Sequence, residues 1–231
     1  MYSRKRIVVT GSQGNIGSII FQNLSDKYNL VGLDKLDGTQ NIKIDLTTDL
    51  DRLEEGLSNC DVVIHLAWDN GEDFPNEVSI PENKIMAENL YKAVASVGTK
   101  RLIIASSVHA NNYRNLSKVY IKVSSKDIPD TPYGASKLYI ENLGKFYASR
   151  YGTEVICIRF GGIINNDEVR IEEDPLYANV LLYKADAIDL LIRCINKKNI
   201  PNGFTNFYAV SNNKNRLHSI KNNVGWKPKL P

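Results

Sequence analysis

Apolar runs of strand length alternate with longer segments of helical period through the first 160 residues. Continuous apolar strands joined by helical crossovers predict a parallel sheet with helices on both faces, which is a doubly wound α/β fold. The predicted strands are Ile7–Thr10, Leu30–Asp34, Ile42–Ile44, Val62–Leu66, Leu102–Ser106 and Val155–Arg159, and the predicted helices are Ile16–Tyr28, Leu50–Leu57, Glu82–Val97 and Ser136–Tyr151.

The alternation loosens in residues 161–231. A polar loop at Asn165–Pro175, a helix at about Lys184–Lys197 and a strand at Phe204–Val210 lead to a polar end. At 231 residues, the chain lies slightly above the usual size of a single domain. We therefore expect one structural unit, in which residues 1–160 form the dinucleotide-binding domain and residues 161–231 form a small substrate lobe interleaved with the sheet.

The composition is that of an ordinary globular protein, and the charge adds little to this picture. The 29 basic and 26 acidic residues are mixed along the chain, which argues against a large nucleic-acid or membrane surface. No stretch approaches the roughly 20 apolar residues that cross a bilayer. The basic start at Met1–Arg6 leaves no room for a signal peptide, so we expect a cytoplasmic protein.

The three cysteines are far apart in the sequence and lie among apolar residues, as is typical of buried thiols. We therefore predict neither a disulfide nor a metal site.

A glycine-rich segment, Thr10–Gly17, follows the first strand and opens the first helix. Glycine permits a tight turn and close approach of the backbone to a pyrophosphate, while the helix N-terminus offers N–H groups and a positive dipole end. A turn that only caps the helix is the simpler alternative. We predict a Rossmann-type dinucleotide site, formed in this segment by Gly11, Gln13, Gly14, Asn15, Ile16 and Gly17.

An acidic residue at the end of the second strand indicates which dinucleotide binds. Asp34 lies 17 residues after Gly17, where a carboxylate can accept hydrogen bonds from the adenine-ribose hydroxyls. A phosphate at the ribose 2′ position would be repelled by this carboxylate, so NAD is favoured over NADP. The basic neighbour Lys35 weakens this preference slightly.

A tyrosine and a lysine four residues apart, Tyr133 and Lys137, share one face of a predicted helix. A free tyrosine has a pKa of about 10, which is too high for a good base at neutral pH. A nearby ammonium and a positively charged nicotinamide ring would lower that pKa. Ser106 and Ser107 end a strand and could place a hydroxyl beside the same reacting oxygen. By itself the pair would more often be a solvated helix face than a catalytic site, but together with the glycine loop, Asp34 and the serines it predicts proton chemistry.

Together, these motifs resemble the extended short-chain dehydrogenase/reductase group, the NAD-dependent epimerase/dehydratase family, over about residues 7–228. The resemblance implies that Ser107 polarises the substrate and that Tyr133 is the acid/base. It implies that Lys137 holds the nicotinamide ribose and tunes the tyrosine, and that Asn83 belongs to a proton relay.

The resemblance also extends the cofactor site and implies a homodimer. In this family the helix with the tyrosine and the helix before it commonly pack against a twin. Tyr139, Leu143, Phe146 and Tyr147 could supply such a face or could belong to the core. The further cofactor-lining residues that the resemblance implies are Asp45 and Leu46 against the adenine, and Leu66 and Ala67 along the cofactor.

The substrate is predicted from a small lobe and from weaker matches. Only 94 residues follow Lys137, whereas sugar-nucleotide epimerases need extra surface to hold a nucleotide diphosphate. Sugar-nucleotide dehydratases carry an acidic pair where this chain has Val108 and His109. The chain more closely resembles the uronate dehydrogenase branch, which implies oxidation of a sugar C1 hydroxyl to a lactone, with His109 and Arg170 holding the sugar acid. The segments that carry this resemblance are Ser106–His109, Ile158–Gly162, Arg170 and Gly225–Pro228.

Departures from that branch keep other substrates open. Val108 stands where the branch has asparagine, and Gly162 stands where it has serine, so two polar substrate contacts are missing. A neutral aldose or a sugar phosphate is therefore an alternative to a uronate. Arg170 could instead be an exposed loop charge. We expect His65 to be structural support beside the cofactor, and we assign no role to His218.

Two other functions compete with a dehydrogenase. A sugar or sugar-nucleotide epimerase shares the same motifs and would form product without net NADH. A non-catalytic dinucleotide sensor would use the glycine loop alone, although such proteins usually lack the pair of Tyr133 and Lys137.

Overall fold

Parallel strands and their connecting helices make up the structure, a computed structural model that describes residues 4–69, 80–111, 121–123, 127–164 and 175–230. The strands are β1 Arg6–Thr10, β2 Asn29–Asp34, β3 Asn41–Lys43, β4 Val62–His65, β5 Arg101–Ser107, β6 Glu154–Phe160, β7 Gly162–Ile164, β8 Leu181–Tyr183 and β9 Phe204–Ala209. The α-helices are α1 Asn15–Leu24, α2 Leu50–Leu57, α3 Pro81–Val97, α4 Pro132–Tyr151, α5 Pro175–Ala178 and α6 Lys184–Asn196.

The main sheet has seven strands in the order β3-β2-β1-β4-β5-β6-β9, and neighbouring strands pair in parallel. Alternate residues of β1 point to opposite faces, because successive side chains of a strand do so. Ile7 and Val9 pack with side chains of α1 and α6, whereas Val8 packs with side chains of α2, α3 and α4. Helices therefore cover both faces, and the predicted doubly wound α/β fold is confirmed.

Two helix boundaries differ from the sequence-based prediction. Helix α1 ends at Leu24, because the chain turns there and the N–H of Tyr28 donates back to the Leu24 carbonyl. Helix α4 begins at Pro132, four residues earlier than predicted. The hydroxyl of Thr131 accepts from the N–H of Gly134 at 3.0 Å, and proline suits the first helical position because it lacks an N–H.

The chain beyond β6 contributes both to the main sheet and to a separate small sheet. Strand β9 pairs with β6 at the edge of the main sheet, while β7 and β8 form a two-stranded parallel sheet. The division into residues 1–160 and residues 161–231 stays a prediction.

None of the helices in the described part of the chain combines the length and the apolar character needed to cross a membrane.

A buried ion pair joins α4 to the main sheet. Arg159 of β6 donates to both carboxylate oxygens of Glu141, from Nε at 2.7 Å and from Nη2 at 2.8 Å. Ser106 of β5 and Asn206 of β9 donate to the same carboxylate. Glu141 is fully buried and Arg159 is 1% exposed. One carboxylate therefore holds α4 against three neighbouring strands.

We predict that the substitution Glu141→Ala lowers the free energy of unfolding by about 3–5 kcal/mol, because it removes one of two buried carboxylates that pair with Arg159 and leaves Ser106 without its acceptor. Asp127, 2.6 Å from Nη1 of Arg159, remains. Urea unfolding followed by circular dichroism measures this change. Asp189→Ala is the matched control, since it removes a carboxylate that Arg193 also contacts through Nε at 2.7 Å, but at a partly exposed site. The control should cost less than about 1 kcal/mol. Equal losses for the two variants would contradict the prediction.

Candidate active site

One continuous cleft runs along the carboxyl edge of the main sheet. It consists of two adjoining cavities of about 440 Å³ and 400 Å³. Gly11, Gly14, Leu66 and Trp68 line both cavities, so they form the boundary between the two. A cleft at this edge is where ligands bind in doubly wound sheets.

The glycine loop is packed so closely that side chains are excluded at two positions. Gly11 has a φ of +70°, and a Cβ there would lie 2.5 Å from the backbone nitrogen of Ala67. A Cβ on Gly17 would lie 2.4 Å from the carbonyl oxygen of Gly11. Gly14 is the N-cap residue of α1, and a helix N-terminus in such a loop suits the pyrophosphate of a dinucleotide.

The second cavity contains the acidic residue that the sequence associates with an adenine ribose. The carboxylate of Asp34 accepts from the backbone N–H of Gln13 at 2.9 Å and from that of Leu36 at 3.0 Å, which fixes its orientation at the end of β2. The structure brings most of the other predicted cofactor residues to the same cavity. Its lining includes Gly11, Gln13, Gly14, Asp34, Lys35, Asp45, Leu46, Leu66 and Ala67.

The first cavity brings together the predicted serine, tyrosine and lysine. Ser107 ends β5, and its hydroxyl lies close enough to the phenol of Tyr133, in the first turn of α4, to lower the pKa of that phenol. The ammonium of Lys137 lies 5.4 Å from the centre of the Tyr133 ring and donates to the carbonyl of Ala105 at 3.0 Å. Asn15, Ile16 and Gly17 of the glycine loop line the same cavity.

Burial controls the charge of the tyrosine and the lysine. Burial raises the pKa of Tyr133 to about 12, and the hydrogen bond from Ser107 offsets only part of this rise. Burial also lowers the pKa of Lys137 well below its ordinary value. The sequence predicted that Lys137 and the positively charged nicotinamide ring together lower the pKa of Tyr133, and for the cleft with its dinucleotide this stays a prediction. In the chain alone, the cost of removing the phenolate from water outweighs the effect of Ser107, so the pKa is raised.

Two histidines lie at the cleft with different partners. His109 lines the first cavity, its Nδ1 lies 2.9 Å from Oδ1 of Asp130, and its ring packs edge-on against that of Tyr133. His65 ends β4, and its Nδ1 lies 2.7 Å from the hydroxyl of Thr10. Burial lowers the pKa of His65 to about 3, with a smaller contribution from Lys137, so this ring is neutral at ordinary pH. His65 thus links β4 to β1 beneath the glycine loop, which agrees with the supporting role expected from the sequence.

The remaining sequence-derived residues lie apart from the reacting groups or outside the described chain. The side-chain amide of Asn83 donates to the carbonyl of Asp69 at 2.7 Å and accepts from the N–H of Asp69 at 2.8 Å. Its amide thus braces the chain after β4, and its part in a proton relay stays a prediction. Arg170 lies outside the described residues. His218, to which no role was assigned, is fully buried against the ring of Tyr208.

Sequence reasoning missed two aromatic residues of the cleft. Trp68 lines both cavities, and its ring centre lies 3.5 Å from Nζ of Lys137. Its position directly after Leu66 and Ala67 was a usable signal, because residues that follow a parallel strand reach the cleft. Tyr177 of α5 lines the first cavity, and no local signal marked it because it follows a long polar loop.

Comparisons with known proteins agree with this geometry. Residues 7–165 match the NAD dependent epimerase/dehydratase family. L-arabinose 1-dehydrogenase (NAD(P)(+)) of Haloferax volcanii is 30% identical over 73% of this chain and 71% of its own. The uronate dehydrogenase of Pseudomonas syringae pv. tomato is 26% identical over 90% of this chain and 75% of its own. The structure of glucuronic acid dehydrogenase from Chromohalobacter salexigens, at 25% identity, superposes with a TM-score of 0.78, covering 98% of this chain and 85% of that one.

We predict that Tyr133 keeps its proton at a pH where ordinary phenols ionise, because burial raises its pKa to about 12. Nuclear magnetic resonance of protein labelled with ¹³C at tyrosine Cζ, without dinucleotide, measures this directly. The Tyr133 signal, assigned by its loss in Tyr133→Phe, should show no titration up to about pH 11. A midpoint at or below the ordinary phenol pKa of about 10 would contradict the prediction.

Proposed function

Since the chain belongs to the NAD-dependent epimerase/dehydratase family, we propose that it is a dehydrogenase that oxidises the C1 hydroxyl of a small sugar or sugar acid with NAD. The observation that carries the proposal is the meeting of Ser107, Tyr133 and Lys137 in a cavity that adjoins the glycine loop. Oxidation at C1 is supported by the relatives named L-arabinose 1-dehydrogenase and uronate dehydrogenase.

The cleft has the features that a dinucleotide requires. Side chains are excluded at Gly11 and Gly17, which leaves backbone and a helix N-terminus to face a pyrophosphate. Asp34, held by two backbone N–H groups, suits the hydroxyls of an adenine ribose and repels a 2′-phosphate. Lys35 lines the same cavity and moderates this preference. We therefore assign NAD as the favoured cofactor, which when bound supplies the hydride acceptor.

Tyr133 is proposed to remove the proton from the C1 hydroxyl of the sugar. Its phenol is buried beside Ser107, whose hydroxyl lowers the pKa of that phenol, so the serine lies close to the oxygen that receives the proton. Ser107 would in turn orient the sugar oxygen by a second hydrogen bond. Lys137 supplies a nearby positive charge when protonated, 5.4 Å from the centre of the Tyr133 ring, and this charge favours the phenolate.

The remaining residues are assigned supporting roles. His109 is proposed to contact the sugar, because it lines the cavity beside Tyr133 while Asp130 holds its Nδ1. Arg170 would pair with the carboxylate of a sugar acid, a role suited to a guanidinium. Asn83 is proposed to serve the proton relay indirectly, by holding the backbone of Asp69 in the chain that follows Trp68.

We predict that the protein forms NADH from at least one sugar in a panel of aldoses, uronates and sugar phosphates. Tyr133→Phe should lower kcat by about 10²–10⁴ because it removes the base, while the Kd for NAD changes little. Absorbance at the NADH wavelength and titration calorimetry measure the two quantities.

Tyr139→Phe is the matched control on the same helix, since its hydroxyl donates to Glu88 and it does not belong to the cavity lining. This variant should keep wild-type kcat. An absence of turnover on the whole panel with NAD bound would count against a dehydrogenase. Interconversion of sugars without net NADH would instead favour the epimerase.

We also propose that the protein is a homodimer formed through α3 and α4. Phe146 of α4 is 55% exposed and Ile85 of α3 is 46% exposed, and large exposed apolar side chains on neighbouring helices mark association surfaces. The ring of Tyr147 lies between those of Tyr91 and Tyr151, which extends the aromatic surface along α4.

We predict that Phe146→Glu shifts the protein from dimer to monomer, because it places a charge in an apolar interface. Analytical ultracentrifugation over a concentration series measures the shift. Ile42→Glu is the control, since Ile42 is 39% exposed on β3 at the far edge of the sheet. If the wild type sediments as a monomer at every concentration, the proposed dimer does not exist.

A further inference from the structure

Gly162 occupies a position at which a side chain would displace the phenol of Tyr177. It lies two residues beyond Phe160, which pairs with Ser107 in the register of β5 and β6. Its N–H donates to the carbonyl of Val180 at 3.1 Å. A Cβ on Gly162 would lie 2.3 Å from each of three atoms of the Tyr177 ring, namely Cε2, Cζ and Oη. The phenol end of Tyr177 therefore rests directly on the backbone beside the proposed catalytic serine.

The contact with Tyr177, and not the backbone conformation, favours glycine at this position, because a Cβ would require the phenol end of Tyr177 to move. Gly162 does not adopt the positive φ that five other glycines of the described chain adopt. The carbonyl of Tyr177 accepts from the N–H of Val180, and Val180 is buried. Burial also raises the pKa of the Tyr177 phenol, so the ring is neutral at ordinary pH. Tyr177 is thus an uncharged group on a backbone held by Val180, and the residue is 37% exposed.

Tyr177 lines the part of the first cavity that the proposed NAD site does not occupy, and this part is available to the substrate. The glycine loop and Trp68 line the part that adjoins the second cavity, which is proposed to hold NAD. The opposite wall consists of the end of β6, strand β7 and the chain around Tyr177. The described residues of that wall are all uncharged: Phe160, Gly161, Gly162, Ile163, Tyr177 and Val180.

We propose that Tyr177, seated on Gly162, is a specificity-determining residue that limits the size of the group at C5 of the sugar. The inference rests on the proposed function, because it places C1 at Ser107 and Tyr133. In a pyranose, C5 is only two bonds from C1 across the ring oxygen, so its substituent lies close to the neighbouring strand end. An uncharged ring at that point favours hydrogen over a hydroxymethyl group, whereas a carboxylate there would depend on the pairing with Arg170 proposed above.

Three matched sugars test this inference. L-arabinose, D-galactose and D-galacturonate share their configuration around the ring and carry hydrogen, a hydroxymethyl group and a carboxylate at C5. For the wild type we expect kcat/KM to fall by about tenfold or more from the first sugar to the second, the effect of one added group in a tight pocket. Tyr177→Ala should reduce this ratio by about tenfold, mainly through a lower KM for D-galactose.

Two further variants separate the ring from its hydroxyl and test the contact with Gly162. Tyr177→Phe keeps the ring and should keep the wild-type ratio. Gly162→Ala should lower kcat/KM for L-arabinose, because its Cβ displaces the ring, whereas the same substitution should have little effect in a Tyr177→Ala background. Equal changes for all three sugars in Tyr177→Ala, or additive effects in the double variant, would overturn the inference.

Binding without turnover distinguishes failure of this inference from failure of the proposed function. Titration calorimetry of the three sugars into the enzyme with NADH gives their relative affinities in the absence of reaction. If no sugar yields NADH but Tyr177→Ala still reorders these affinities, the inference stands and the dehydrogenase assignment fails. If the sugars are oxidised and Tyr177→Ala changes neither the rates nor the affinities in a size-dependent way, only the inference fails. If no sugar binds, both fail.

Discussion

The buried pair of Glu141 and Arg159 is the contact on which the geometry of the proposed site depends. Tyr133, Lys137 and Glu141 follow one another at four-residue intervals, so their side chains lie on one face of α4. Glu141 also accepts from Ser106, the residue before the proposed catalytic serine. Any slide or rotation of α4 that separates the phenol from that serine must therefore break bonds to a fully buried carboxylate, which is costly in a protein interior.

The same burial that holds these groups in place also sets their charge. In the chain alone, burial favours the neutral forms of both Tyr133 and Lys137, since it raises the pKa of one and lowers that of the other. Nicotinamide in oxidised NAD is positively charged, and a positive charge beside a phenol lowers its pKa. Proton removal by Tyr133 is thus expected to require bound NAD. The positive charge of the nicotinamide therefore couples proton removal to hydride transfer.

The parts of this protein that could be predicted from its sequence are those set by local pattern. The order of strands and helices up to β6, the glycine loop and Asp34 depend on short segments and agree with the pattern, whereas β7, α5 and β8 were not predicted. The start of α4 was missed, although Thr131 and Pro132 form an ordinary helix start. The contacts of Trp68 with Lys137 and of Tyr177 with Gly162 join residues far apart in the chain, and their identity depends on packing that no single segment encodes.

The central claim is that a hydride leaves C1 of a sugar and is kept by NAD, and transfer of an isotope tests it most directly. A sugar that the protein accepts, carrying deuterium at C1, is incubated with the protein and NAD, and the nicotinamide product is analysed by mass spectrometry. The account predicts deuterium in the NADH and a lactone or its hydrolysed acid as the other product. NADH without deuterium, or a rearranged sugar that retains the label while no NADH accumulates, would contradict it.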